Sequence, residues 1–196
     1  MQTIKTIIGI LAVILTFSGY IPYLRDITKG KTKPHIYSWF LWGFVTSIVF
    51  ALQISGNAGI GAFVTLAAAV MCISVIFLGY KYKCISDIIP LDTIFLILAL
   101  ITLGIWIFAK QPVLAAILAT SIDLLGFIPT IRKSWNKPYS ETLLFYYLNT
   151  IRFLLAIVAL HTYSIITALY PISWLLINGL FALMLLMRRK IIPLPS

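Results

Sequence analysis

Acid is what this chain lacks most. Only five of its 196 residues are Asp or Glu, and charged residues of both signs make up 10% of the sequence. Soluble domains ordinarily carry about a quarter charged residues. Two histidines and two cysteines complete a thin stock of chemistry-bearing side chains. Cys72 falls in mid-span and Cys84 beside Lys83, so no disulfide framework is expected. The topology below puts His35 and His161 on opposite membrane faces, where they cannot share a metal. There is no H-E-x-x-H, no phosphate-binding G-x-x-x-x-G-K-[ST] and no G-x-S-x-G. The sequence therefore predicts no enzyme, no metal and no cofactor. Linkers rich in Pro or Ser and low-complexity segments are missing too, which leaves little room for a separate soluble domain.

What is present is apolar. Hydrophobic residues make up 61% of the chain, and the mean hydropathy is +1.04. A helix that crosses a bilayer needs roughly 20 mainly apolar residues. Seven such stretches are predicted, near 4–24, 36–54, 58–80, 91–109, 111–131, 142–160 and 164–187. The expected fold is an all-α membrane protein with seven transmembrane helices. The first stretch is not followed by an A-x-A-like cleavage site, and the cluster from Arg25 to Lys33 reads as a stop-transfer signal, so it is expected to be retained.

The net charge of +10 does not imply nucleic acid, because the basic residues alternate. Lys5 and Lys110 fall on one side of the predicted spans. Arg25, Lys29, Lys31, Lys33, Lys81, Lys83, Arg132, Lys133, Lys137, Arg188, Arg189 and Lys190 fall on the other. This positive-inside pattern predicts an inner or plasma membrane protein with an external N-terminus and a cytoplasmic C-terminus. It also predicts contact of the Arg188-Arg189-Lys190 end with anionic membrane lipid.

The chain repeats itself. Gly19-Tyr20-Ile21-Pro22-Tyr23-Leu24-Arg25 returns as Gly126-Phe127-Ile128-Pro129-Thr130-Ile131-Arg132 at an offset of 107 residues. Each copy closes an apolar run and is followed by a basic segment ending in Lys-Pro, at Lys33-Pro34 and Lys137-Pro138. The predicted organisation is one three-helix repeat over 1–83, a linker helix within 84–110, and a second three-helix repeat over 111–196. The extra crossing restores the orientation of the second repeat, giving a 3+1+3 arrangement of parallel repeats.

Polar residues inside the spans are the candidate site. Asp123 sits well within the fifth stretch, with Ala116, Ala119, Thr120, Gly126 and Thr130 on its helical face. Asn149 and Arg152 lie one turn apart in the sixth, and Asn178 follows Trp174 by one turn in the seventh. Ser38, Trp42, Thr46 and Gln53 form a polar stripe on the second. Intramembrane charges cost about 2.5–3.5 kcal/mol each on insertion scales, so they pair or line a path. An Asp123–Arg152 interaction is expected. Pro22, in the last turn of the first span, and Pro129 are candidate hinges or gates. Pro171 begins or kinks the seventh span. Gly61, Thr65, Ala68, Ala69 and Cys72 are read as a close-packing face. A retinal protein is excluded, because residues 164–187 hold no lysine for a Schiff base.

On these residues the chain resembles the PQ-loop superfamily, in particular the SWEET and SemiSWEET transporters. The resemblance rests on Ile21-Pro22 and Ile128-Pro129, on Lys31-Thr32 with Ser38 and Trp42, and on Lys133-Ser134 with Ser140. The glutamine of the Pro-Gln pair is replaced by Tyr23 and Thr130. Pro34 and Pro138 stand at helix starts, not within helices 2 and 6 as in the family. Asn178 matches the solute-binding asparagine of helix 7, whereas Met71 stands at the helix 3 position. The resemblance implies a transporter of a sugar or similar polar metabolite. It would work by alternating access, with Asn178, Asn149, Trp42, Asp123, Arg152 and Trp174 lining or supporting the substrate site. A non-transporting receptor or scaffold on the same fold is the alternative. Association into a homo-oligomer is compatible with either.

Overall fold

A chain so poor in hydrogen-bonding side chains must satisfy its backbone within its own segments, and helices do so. The computed structural model describes residues 2–31, 34, 36–84 and 90–192, and every described element is helical. Thr32, Lys33 and His35 fall outside the described residues, as do the side chains of Leu91, Asp92, Pro129, Lys133 and Ser140.

The elements are α1 (Gln2–Thr28), α2 (Ile36–Ser55), α3 (Ala62–Lys81), α4 (Pro90–Ile107), α5 (Pro112–Leu125), α6 (Ile128–Asn136), α7 (Leu143–Val158) and α8 (Ile165–Ile191). A 3-10 turn, Gly59–Gly61, leads into α3, and another, Pro138–Ser140, precedes α7. Five segments are long and apolar enough to cross a membrane: Gln2–Thr28, Ile36–Ser55, Gly59–Lys81, Pro112–Asn136 and Ile165–Ile191. Two apolar helices are shorter, Thr93–Ile107 and Leu143–Val158.

The outer surface has the character that a bilayer demands. On α8, Ile172, Leu176, Leu180, Leu183, Met187 and Ile191 are all exposed at three- and four-residue spacing. Ile4, Ile7, Leu11, Ile14 and Ile21 make a similar stripe on α1. Continuous exposed apolar faces of this extent are foreign to water-soluble monomers. Polar side chains turn inward instead: Thr16, Thr46, Gln53, Thr120, Asp123, Asn149, Arg152 and Asn178 are all buried.

Packing has an internal symmetry. Helix α3 lies against both α1 and α2, and α8 lies against both α5 and α7. Between these groups, α1 packs on α7 and α2 packs on α5, while α4 rests on α5 and α2. Two glycines at equivalent positions of the sequence repeat lie at these crossings. A Cβ on Gly19 would sit 3.4 Å from Leu148 Cβ of α7, and one on Gly126 would sit 3.0 Å from Trp42 Nε1 of α2. The small-residue face behaves as expected: Gly61, Thr65, Ala68, Ala69 and Cys72 are buried. A Cβ on Gly61 would approach the Ala156 carbonyl oxygen of α7 to 2.8 Å.

The repeated Pro motif takes two different forms. Pro22 is not in the last turn of α1, as its sequence suggested. The helix continues through it to Thr28 and stops at Gly30, whose φ of +68° fits a glycine terminator. The Gly30 and Lys31 amides donate to the Ile27 and Asp26 carbonyls there. In the second copy the helix is interrupted after Leu125, and Pro129 is the second residue of the new helix α6. A proline is well placed in a first turn, where its missing N–H would have had no partner.

Pro171 is accommodated differently again. It lies inside α8, which begins at a capping box between Ser164 and Thr167. Proline cannot donate to the carbonyl four residues earlier, here Thr167. That carbonyl accepts instead from Gln53 Nε2 of α2 at 3.1 Å.

Candidate functional site: two buried charges apart

Asp123 and Arg152 are 2% and 5% exposed, yet no ion pair joins them, contrary to expectation. Each is held by a different set of helices.

Asp123 projects from α5 toward α8. Its Oδ2 accepts from Tyr170 OH at 2.9 Å and from Trp174 Nε1 at 3.1 Å. Tyr170 and Trp174 are four residues apart and therefore share a face of α8. Tyr170 OH also lies 3.2 Å from Thr46 Oγ1 of α2. Because the tyrosine proton goes to the carboxylate, the threonine hydroxyl donates to Tyr170. The result is a relay from α2 through α8 to α5. The other carboxylate oxygen, Oδ1, is enclosed and has no hydrogen-bond partner among the described residues. Neither has Thr120 Oγ1, one turn earlier on the same helix.

Arg152 projects from α7 toward α1. Its Nε donates to Asn149 Oδ1 and its Nη1 to Thr16 Oγ1 at 3.5 Å. The guanidinium lies over the Phe153 ring at 4.3 Å and near the Tyr20 ring at 5.9 Å. Aromatic faces attract a cation, more so when it is desolvated. Nη2 makes no hydrogen bond among the described residues.

One aromatic ring links the two charges. Phe153, beneath Arg152, stacks on Trp174 at 6.3 Å and 14°, and meets Tyr170 edge-on at 6.2 Å. These are the residues that hold Asp123. The charges thus adjoin a single aromatic layer built from α7 and α8, which packs against Leu41, Val45 and Val49 of α2.

The other predicted residues are distributed around this layer. Asn149 orients Arg152 directly. Trp42 is half-buried, meets Trp39 edge-on at 5.3 Å, and approaches Gly126. Asn178 is buried, but its Nδ2 donates to the Trp174 carbonyl of its own helix at 2.7 Å. That bond ties Asn178 to the turn that carries Trp174. Pro22 and Pro129 each follow one of these contacts along the chain, Pro22 six residues after Thr16 and Pro129 six after Asp123. The sequence reasoning missed Thr16, Tyr20, Phe153 and Tyr170 as participants. The 107-residue offset was a usable signal for one of them, since it maps Asp123 onto Thr16.

Both ends of the bundle are clasped. Beside the Gly59 turn, the His161 amide donates to the Ala58 carbonyl at 3.0 Å, and Lys5 Nζ donates to the Leu160 carbonyl at 2.6 Å. At the opposite end, Thr142 Oγ1 donates to Asp26 Oδ2 at 3.2 Å, and Arg189 Nη2 donates to the Glu141 carbonyl at 2.7 Å. Tyr20, Tyr23, Trp39, Phe145 and Tyr146 fill the space above that end as one aromatic cluster. Among the described residues, no group of three His, Cys, Asp or Glu side chains is placed to hold a metal ion.

These features define an all-α membrane protein with a buried, charged centre. No family model, curated protein or solved structure matches the chain.

Proposed function

We propose that the protein is a small-solute transporter working by alternating access, on a seven-span, PQ-loop-like 3+1+3 fold. The observation that carries this reading is the pair of opposite charges buried within apolar helices without pairing. Ionisable groups in a span are costly and mark solute or ion paths when they are not neutralised by each other. Here each charge also bridges the two helix groups, Asp123 through Tyr170 to Thr46, and Arg152 to Thr16. A rocking motion of one group against the other would remake both connections at once.

The packing supports the repeat on which this rests. The order α1–α3–α2 in the first group is matched by α5–α8–α7 in the second, and the crossings α1–α7 and α2–α5 exchange under the same offset. On this reading α4 and α7 are the fourth and sixth spans, and α6 extends the fifth. The alternating basic loops place the N-terminus outside and the Arg188 end in the cytoplasm. With both ends clasped, the conformation described here is an occluded one. Pro22 and Pro129 then act as hinges where each group bends.

The test is flux. The purified protein is reconstituted into sealed vesicles and uptake of radiolabelled polar metabolites is compared with that of Asp123→Asn. The asparagine oxygen can still accept from Tyr170 and Trp174, so the fold should persist while uptake is lost. Uptake by the variant at the native rate would refute a role for Asp123, and vesicles with no uptake of any solute would refute transport.

A further inference from the structure

We infer that the solute is a zwitterion of the α-amino-acid kind with an apolar body, its ammonium on Asp123 and its carboxylate on Arg152; this rests on the transporter reading above.

The argument begins with unused bonding capacity. A carboxylate only accepts hydrogen bonds, and a guanidinium only donates them. Asp123 spends Oδ2 on two donors and leaves Oδ1 with none. Thr120 Oγ1 lies one turn away on α5, equally buried and equally unpartnered. Together they present two oxygens to a group rich in donors, as an ammonium is. Arg152 has five N–H groups, and its two hydrogen bonds leave Nη2 available. A planar guanidinium with free Nη donors matches a carboxylate better than any neutral acceptor.

Charge balance narrows the class further. A neutral sugar would leave both charges without a counter-charge in an apolar setting. A solute bearing only a cation or only an anion would neutralise one charge and strand the other. A zwitterion answers both and adds no net charge to the site. Direct pairing of Asp123 with Arg152 would do the same, but Tyr170 and Trp174 hold one while Asn149 and Thr16 hold the other. The rings of Phe153, Trp174 and Tyr170 meet beside both charges; they must part for the two groups on one α-carbon to reach both, and they then line the site for an aliphatic or aromatic side chain. Because Oδ1 is enclosed in this conformation, the solute enters only when the helix groups separate.

Thermal unfolding of the detergent-purified full chain tests this. The probes are L-leucine and L-phenylalanine, with leucine amide lacking the carboxylate, N-acetyl-leucine lacking the ammonium, and D-glucose lacking both charges. At about 100 times its Kd, a ligand specific to the folded state raises the midpoint of a chain this size by roughly 5–10 °C. The expected result is a rise with leucine or phenylalanine only, lost in Asp123→Asn and in Arg152→Gln. A rise with leucine amide or N-acetyl-leucine equal to that with leucine would overturn the proposal, as would a rise with glucose alone. No rise with either amino acid would also overturn it. The wild-type panel decides the matter even if Arg152→Gln fails to fold. Uptake of a neutral solute by the reconstituted protein would leave the transporter reading standing while this inference fell.

Discussion

Replacing Gln53 by leucine tests the most local piece of this reasoning. Pro171 deprives the Thr167 carbonyl of its helical donor, and Gln53 Nε2 replaces that donor from α2. Gln53 and Thr167 are 1% and 0% exposed, so no water can take over. Leaving a buried carbonyl unsatisfied costs about 1–3 kcal/mol. Gln53 Oε1 is itself buried without a partner among the described residues, and the leucine removes that burden, so the net loss should lie near the lower end, about 1 kcal/mol. The decisive experiment is a double-mutant cycle with Pro171→Ala. Alanine restores an N–H at position 171, and the Thr167 carbonyl then has a helical partner whatever occupies position 53. Gln53→Leu should therefore cost about 1 kcal/mol in the native background and close to nothing beside Pro171→Ala. Interhelical hydrogen bonds in membranes average about 0.6 kcal/mol and reach about 1.7 kcal/mol in such cycles, which brackets the expected coupling. Unfolding by sodium dodecyl sulfate in mixed micelles, followed by circular dichroism, has the required resolution. Equal costs in both backgrounds, within about 0.3 kcal/mol, would show that the bond does not compensate for the proline.

Other perturbations address packing, the charged centre and orientation. Gly61→Leu forces side-chain atoms against the Ala156 carbonyl, already 2.8 Å from a Cβ at that position; it should destabilise by about 1–3 kcal/mol, lowering the midpoint in the same unfolding assay. Arg152→Lys keeps the charge but cannot reproduce the fork that reaches Asn149 and Thr16 while covering Phe153. It should reduce flux at least tenfold with a smaller loss of stability, and native flux would argue against a role for the guanidinium plane. In a background with Cys72 and Cys84 replaced by alanine, cysteine at the exposed position Lys29 should react with a membrane-impermeant maleimide only after the cells are opened. Cysteine at Gln111 should react in intact cells, and the reverse pattern would invert the proposed topology.

Much of the fold was legible because a membrane permits few solutions. Apolar runs of helix length must be helices in lipid, so α2, α3 and α8 begin within a few residues of where hydropathy placed them, and α2 and α3 end there too. Termini were harder. The stop of α1 depends on Gly30 in a left-handed conformation and not on Pro22, because a proline weakens one hydrogen bond while a terminator must satisfy several carbonyls. The same motif that α1 carries through becomes an interruption between α5 and α6, although the two heptads share Gly, Ile, Pro and Arg at the same places. At the site, burial of Asp123, Arg152, Asn149 and Asn178 followed from the rarity of polar residues in the spans. Their partners did not, because side-chain reach across helices depends on rotation and depth that no single stretch specifies.

The sequence by itself determined the material and the plan: a lipid-facing surface, helices as the only element, an internal repeat, and a handful of polar residues that hydrocarbon forces inward. Those are consequences of composition and spacing, which act residue by residue. The tertiary structure alone decided that Asp123 belongs to Tyr170 and Trp174, that Arg152 belongs to Asn149, Thr16 and the Phe153 ring, and that the two opposite charges stay apart. The reason is competition. Several buried donors and acceptors, all within reach of one another, must share partners, and the winning set is fixed only when the helices have chosen their crossings.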